Sequence, residues 1–157
     1  MRIISKATTA MPAKSQNALK ISYAYAFLLV LFVVCQLFTF DEFLSLLTSF
    51  SLPGGEITAR ILGCVLVTSE VFALPFLLRF SLSNFMRNIC MVLSWLVPAI
   101  WLFLTISIRL LPVTVDNVGF VGTIFKVTPG IWSVYFCLFI AMAAVWSSWG
   151  LWPNTKR

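Results

Sequence analysis

Four apolar stretches, residues 21–40, 57–80, 89–111 and 131–152, fill most of this 157-residue chain. A helix rising about 1.5 Å per residue needs roughly 20 residues to cross a hydrocarbon core about 30 Å thick, so each stretch is long enough to span a bilayer. Their hydrophobicity is continuous rather than alternating. That selects helices over barrel strands, and a helix satisfies its own backbone polar groups in lipid. With 61% hydrophobic and 10% charged residues and a mean hydropathy of +1.00, a water-soluble fold of this size would carry more apolar surface than it can bury. The expected fold class is all-α and integral to the membrane, a single four-transmembrane-helix bundle over 21–152.

Charge sets the expected orientation. Arg2, Lys6, Lys14, Lys20, Arg79, Arg87, Lys156 and Arg157 flank one side of the four spans. Arg60, Arg109 and Lys126 share the other with Asp41, Glu42, Glu56 and Asp116. Basic residues therefore divide 8 to 3, and the side rich in them is the cytoplasmic one, which predicts N-in and C-in. Residues 1–20 and 153–157 become cytoplasmic tails; 41–56 and 112–130 become outer loops, and the connection near 81–88 is a tight inner turn. The net charge of +6 is scattered along membrane boundaries, so it gives no reason to expect a nucleic-acid partner. The apolar run at 21–40 is longer than the roughly 7–15 residues of a signal-peptide core, and no small-residue cleavage site follows Phe40. It reads as a retained signal anchor, which places the chain as a multi-pass protein of the cell inner membrane. Residues 1–20 have poor apolar spacing and read as disordered rather than as a surface helix.

The outer loops carry their own patterns. Phe43, Leu44, Leu46, Leu47 and Phe50 recur at helical spacing, which predicts an amphipathic helix lying on the outer surface and stopped by Pro53-Gly54-Gly55. In 112–130, Val113, Val115, Ile124 and Val127 stand among polar residues, and Asp116, Asn117, Gly119 and Gly122 mark a turn. A short hairpin is expected there.

Little in the chain supports catalysis. Histidine is absent, which removes the commonest general base and the commonest ligand of zinc, copper or haem. The glycine-containing stretches lack the lysine and following helix of a phosphate-binding loop. The expectation is no metal, no haem and no nucleotide. Cys35, Cys64, Cys90 and Cys137 occur one per span without a C-x-x-C pair. They read as small buried hydrophobes, with Cys137 on a stripe with Ala141, Ala144 and Ser148; a disulfide among Cys35, Cys64 and Cys137 in the outer half is the alternative. Pro75 and Pro98 interrupt the second and third spans, where a missing N–H kinks the helix. Trp146, Trp149 and Trp152 read as an interfacial aromatic belt.

Glu70 is the one acidic residue inside a span. An acidic side chain near the middle of a membrane helix costs about 2.5–3.5 kcal/mol even on the lenient insertion scale, so something must offset it. At 100° per residue, Ala59, Gly63, Leu66, Glu70, Ala73 and Leu77 form one stripe, whose small members suit close helix packing. Glu70 should face the bundle interior. One reading makes it a proton acceptor or the anchor of a quinone-like or other lipid-soluble ligand. The other makes it a protonated acid bonded to a neighbouring helix through Gln36, Ser94 or Thr105.

The order of these features resembles a known family. Span one ends in Gln36-Leu37-Phe38-Thr39-Phe40-Asp41-Glu42-Phe43, an amphipathic loop follows, and span two places a glutamate in Leu62-Gly63-Cys64-Val65-Leu66-Val67-Thr68-Ser69-Glu70. This is similar to the DoxX-like superfamily of four-helix bacterial membrane proteins, and within it to the MauE branch, named for methylamine utilisation. MauE-like proteins often carry Cys-Gly-Cys-Phe-Gly before span four, and Val118-Gly119-Phe120-Val121-Gly122 aligns with it, followed by Thr128-Pro129. The resemblance covers about residues 21–145 and implies a redox-associated membrane protein, or one assisting maturation of an exported partner. Two departures qualify it. Both loop cysteines are replaced, by Val118 and Phe120, so dithiol exchange at that loop is chemically impossible. The basic residue common near the end of span one is also missing, where Thr39 and Phe40 stand.

Two functional expectations follow. The first is the redox-associated, MauE/DoxX-like role without thiol chemistry of its own. The second is a non-catalytic subunit or scaffold of a larger membrane complex, favoured for intrinsic chemistry by the lack of histidine, C-x-x-C and paired carboxylates. The expected partners are the lipid bilayer and a membrane or periplasmic protein. A small transporter is a weaker third reading, since four spans would need a second copy, a homo-oligomer, to enclose a path.

Overall fold

The computed structural model describes residues 13–110 and 115–152. Among them run five helices, α1 (Gln16–Phe38), α2 (Phe40–Ser49), α3 (Gly55–Leu77), α4 (Asn84–Leu110) and α5 (Ile131–Leu151), and no strands. The four long helices α1, α3, α4 and α5 are each apolar and long enough to cross a membrane. The protein is a multi-pass membrane protein. Most of both expected tails, 1–12 and 153–157, lies outside the described residues, as does Val113.

Polar caps move two helix starts ahead of the apolar runs. Ser15 accepts a hydrogen bond on its Oγ from the Ala18 N–H at 3.1 Å, so α1 begins at Gln16 and residues 16–20 are helix rather than tail. Ser83 does the same for α4, its Oγ accepting from the Met86 N–H at 3.3 Å and its carbonyl from the Arg87 N–H at 2.9 Å. At the end of α3, Arg79 takes a left-handed φ of +60°. The Phe80 N–H bonds the Pro75 carbonyl at 2.9 Å and the Arg79 N–H bonds the Phe76 carbonyl at 3.1 Å. This is a Schellman closure, which ends α3 before residue 80.

The long helices form a ring in which α1 packs on α3 and α5, and α4 packs on the same two. Small residues allow the close approach. A Cβ at Gly150 would fall 2.2 Å from the Ala18 Cβ, and the Lys14 N–H bonds the Gly150 carbonyl at 2.9 Å. The start of α1 and the end of α5 therefore meet, at what is called here the terminal end. The core includes Tyr25, Leu29, Phe32, Leu66, Trp101 and Ile140, while Phe27, Phe38, Phe103, Trp132, Phe139 and Met142 face outward, the arrangement a lipid solvent permits. Pro98 carries no N–H to pair with the Ser94 carbonyl one turn back. The Tyr25 hydroxyl takes that place, donating to Ser94 O at 2.7 Å across the bundle.

At the opposite, loop end, two expectations are corrected. Helix α2 is amphipathic as its spacing predicts, but its apolar face meets protein rather than a membrane surface. Phe43 and Leu47 are fully buried, Gly63 of α3 lies beneath Leu44 and Leu47, and Gly119 lies beneath Leu46 and Phe43. The helix ends at Ser49, before Pro53, because Phe50 and Ser51 turn back onto Leu47 and Thr48 through their N–H groups. Gly54, at φ +96°, instead caps α3. The expected hairpin is not formed among residues 115–130. One backbone bond, Val118 N–H to Val127 O at 2.8 Å, is supplemented by the Asn117 side chain. Its Oδ1 accepts from the N–H groups of Gly119 at 3.1 Å and Val127 at 3.0 Å, and its Nδ2 donates to Gly122 O at 3.2 Å. A buried asparagine satisfies the loop backbone where a ladder would otherwise do so.

Candidate functional site

Glu70 is fully buried, and so is the rest of its stripe, Ala59, Gly63, Leu66, Ala73 and Leu77. Every Cα–Cβ bond tilts toward the start of its helix. Helix α3 starts at the loop end, so Glu70 leans toward that end. Helices α1 and α4 run the other way, so Gln36 and Trp101 lean away from it, and the three side chains meet. Gln36 Nε2 donates to Glu70 Oε1 at 3.3 Å and to the Phe120 carbonyl at 3.1 Å. Trp101 Nε1 donates to Glu70 Oε1 at 3.4 Å. One carboxyl thus joins α1, α3 and α4, and Gln36 extends the network to the 115–130 segment.

Phe120 enters the bundle from that segment. Its ring centroid lies 4.7 Å from that of Trp101, 5.2 Å from Phe136 and 6.1 Å from Phe32, within the range of favourable aromatic contacts. Two glycines make the approach possible. Gly119 has φ +88° and Gly122 φ +61°, and a Cβ at Gly122 would fall 2.9 Å from the Cys35 carbonyl oxygen. The segment is also tied to the α1–α2 junction, where the Thr123 N–H donates to Thr39 Oγ1 at 3.2 Å and the Thr123 hydroxyl bonds the Glu42 carboxylate.

Of the residues singled out from sequence, Gln36 stands against Glu70, and Ser94 and Thr105 do not bond it. Ser94 Oγ turns back to Met91 O at 2.7 Å. Thr105 Oγ1 bonds Trp101 O at 2.9 Å and Leu102 O at 3.0 Å, with Cys137 Sγ at 3.7 Å. Asn117, Gly119 and Gly122 shape the loop, whereas Asp116 is exposed. The sequence reading missed Trp101. A tryptophan on the same face of its span as Thr105 and Ile108 carries an indole N–H that must find an acceptor once buried, and that was the available signal. All four cysteines are free; Cys35, Cys90 and Cys137 are buried and Cys64 is exposed. No group of three or more His, Cys, Asp or Glu side chains that could hold a metal ion occurs among the described residues.

An apolar groove of about 710 Å³ opens between α1, α5 and the 115–130 segment, walled by Leu28, Phe32, Phe120, Val127, Trp132 and Phe136. The Phe120 ring that walls this groove also packs against Trp101. The site offers one carboxyl group, an amide and an indole donor. It can hold hydrogen bonds and a proton, but it pairs the carboxyl with neither a second acid nor a nucleophile. Comparison with protein-family models, curated proteins and solved structures found no match to this chain.

Proposed function

We propose that the chain is a MauE/DoxX-like protein of the bacterial inner membrane. In this reading both termini face the cytoplasm, and the protein assists the redox maturation of an exported partner without thiol chemistry of its own. The position of the 118–122 segment carries the proposal. Val118 and Phe120, which replace the family's loop cysteines, are buried, and the Phe120 carbonyl is held by the same amide that bonds Glu70. The loop glycines retained from that motif take the left-handed conformations the turn needs. Of the two positions where the family carries its dithiol, Val118 is buried and Phe120 packs its ring against Trp101. The 8-to-3 division of basic residues along the sequence supports the orientation. A quinone-like or other lipid-soluble ligand, if the role includes one, would reach Phe120 through the groove between α1 and α5.

The test is deletion of the gene in its host, followed by measuring the yield and disulfide state of exported proteins. The proposal expects a defect in at least one of them, restored equally by the wild-type chain and by a variant with Cys35, Cys64, Cys90 and Cys137 all changed to Ala. No exported protein affected would overturn the maturation role. Restoration by wild type alone, with the variant inserted at normal levels, would overturn the absence of thiol chemistry.

A further inference from the structure

Two buried oxygens at the site have no hydrogen-bond partner, Glu70 Oε2 and Gln36 Oε1. Both belong to fully buried side chains, and those side chains are already joined by the 3.3 Å bond from Gln36 Nε2 to Glu70 Oε1. Orphaned acceptors in a dry interior are costly, and the two here are the unmatched halves of one pair. A carboxylic acid, unlike a carboxylate, is also a donor. One proton on Glu70 Oε2 gives it an O–H to donate to Gln36 Oε1, closing a ring of two reciprocal hydrogen bonds and satisfying both atoms together.

We infer that Glu70 and Gln36 form a reciprocal acid–amide pair that binds one proton inside the membrane, and that this proton latches the Phe120 segment to the bundle. The latch follows from the second bond of the amide. Gln36 Nε2 can reach the Phe120 carbonyl at 3.1 Å only while the amide keeps its orientation, and the reciprocal pair fixes that orientation. Loss of the proton sets Gln36 Oε1 against a carboxylate oxygen with no hydrogen between them. The amide then turns, and Phe120 loses its anchor. The latch is therefore closed at low and neutral pH and opens as pH rises.

The two side chains that bond the Glu70 carboxyl, Gln36 and Trp101, are neutral donors. On α4, Arg87 and Arg109 lie in the first and last turns, about 21 Å and about 12 Å along the helix from Trp101. Among the other titratable groups on elements packed around α3, Tyr25 of α1 lies within electrostatic reach of Glu70, but it is spent on Ser94 O. Cys35 and Cys90 are buried thiols, Cys137 Sγ lies 3.7 Å from Thr105 Oγ1, and Asp41 and Glu42 of α2 are exposed. This inference concerns the same residues as the proposed function but does not depend on the family reading.

Infrared spectroscopy of the full chain in lipid, labelled with ¹³C-glutamate, tests it directly. The chain has three glutamates, Glu42, Glu56 and Glu70, and the first two are exposed. A ¹³C-shifted carbonyl band of a protonated acid at neutral pH therefore reports Glu70. The inference expects that band, its loss at alkaline pH, and its absence in Glu70→Gln. Glutamine can still form two reciprocal bonds with Gln36, so Glu70→Gln should lock the latch closed. Hydrogen exchange at the Val118 and Gly119 amides should then run at least about tenfold faster in wild type than in Glu70→Gln at alkaline pH, and equally at neutral pH; tenfold corresponds to about 1.4 kcal/mol. Absence of the acid band at neutral pH in wild type overturns the proton site without any variant. An unchanged exchange ratio across pH overturns the latch.

Discussion

Alanine at Gly122 should destabilise the bundle well beyond the same change at Gly55, although both glycines adopt a left-handed backbone. Gly122 has φ +61° and Gly55 φ +65°, so each substitution incurs the steric penalty of an L-residue there, about 1–2 kcal/mol. At Gly55 nothing else lies within 4 Å of the new Cβ, and that penalty is the whole effect. At Gly122 the Cβ would fall 2.4 Å from Thr39 Oγ1 and 2.9 Å from the Cys35 carbonyl oxygen. The carbonyl belongs to the α1 backbone and cannot yield, so the Thr39 hydroxyl must move. It then loses its bond to Cys35 O at 3.1 Å and the one it accepts from the Thr123 N–H at 3.2 Å. Hydrogen bonds within membrane proteins contribute about 0.6 kcal/mol each and at most about 1.7. Gly122→Ala should thus cost about 2–5 kcal/mol, against about 1–2 for Gly55→Ala. Reversible unfolding in mixed micelles, titrated with a denaturing detergent and followed by tryptophan fluorescence, measures both. Costs that agree within about 0.5 kcal/mol would refute the docking of the loop onto α1.

Two further outcomes follow from the packing. Tyr25→Phe removes the donor to the Ser94 carbonyl and should cost about 0.6–1.7 kcal/mol. In a Pro98→Ala background the restored N–H takes that carbonyl, so the cost should fall toward zero; an undiminished cost in the same unfolding assay would show that Tyr25 does not compensate for the proline. Chain denatured without reductant should titrate as four thiols, matching the four free cysteines, and a lower count would establish a disulfide.

The spans were legible because each is a continuous apolar run, and Glu70 was legible because an ionisable residue in such a run stands out at once. The buried stripe around it also followed from helical spacing, whereas Cys64, read with the other cysteines as a small buried hydrophobe, is exposed. Helix starts were less legible. They depend on Ser15 and Ser83, polar residues that hydropathy assigns to the aqueous side. The apolar face of α2 was visible but its partner was not, since the same pattern suits a membrane surface or a protein groove. The 115–130 segment was misread as a hairpin because Asn117 takes over backbone pairing, and no local pattern announces that. Trp101 reaches Glu70 from 31 residues away along the chain, and the Phe120 carbonyl reaches Gln36 from 84, so their part in the site needed the fold. Ser94 and Thr105 were plausible partners by composition, but their short side chains bond their own helix.

A double-mutant cycle between Gln36 and Glu70 tests the polar centre of the bundle most directly. Gln36→Ala, Glu70→Ala and the double variant would be unfolded in mixed micelles beside the wild type. Direct pairing of the two side chains predicts a coupling free energy of about 0.6–1.7 kcal/mol. Costs that add within about 0.3 kcal/mol would mean that the two do not interact, and that the carboxyl does not brace the amide that holds the 115–130 segment.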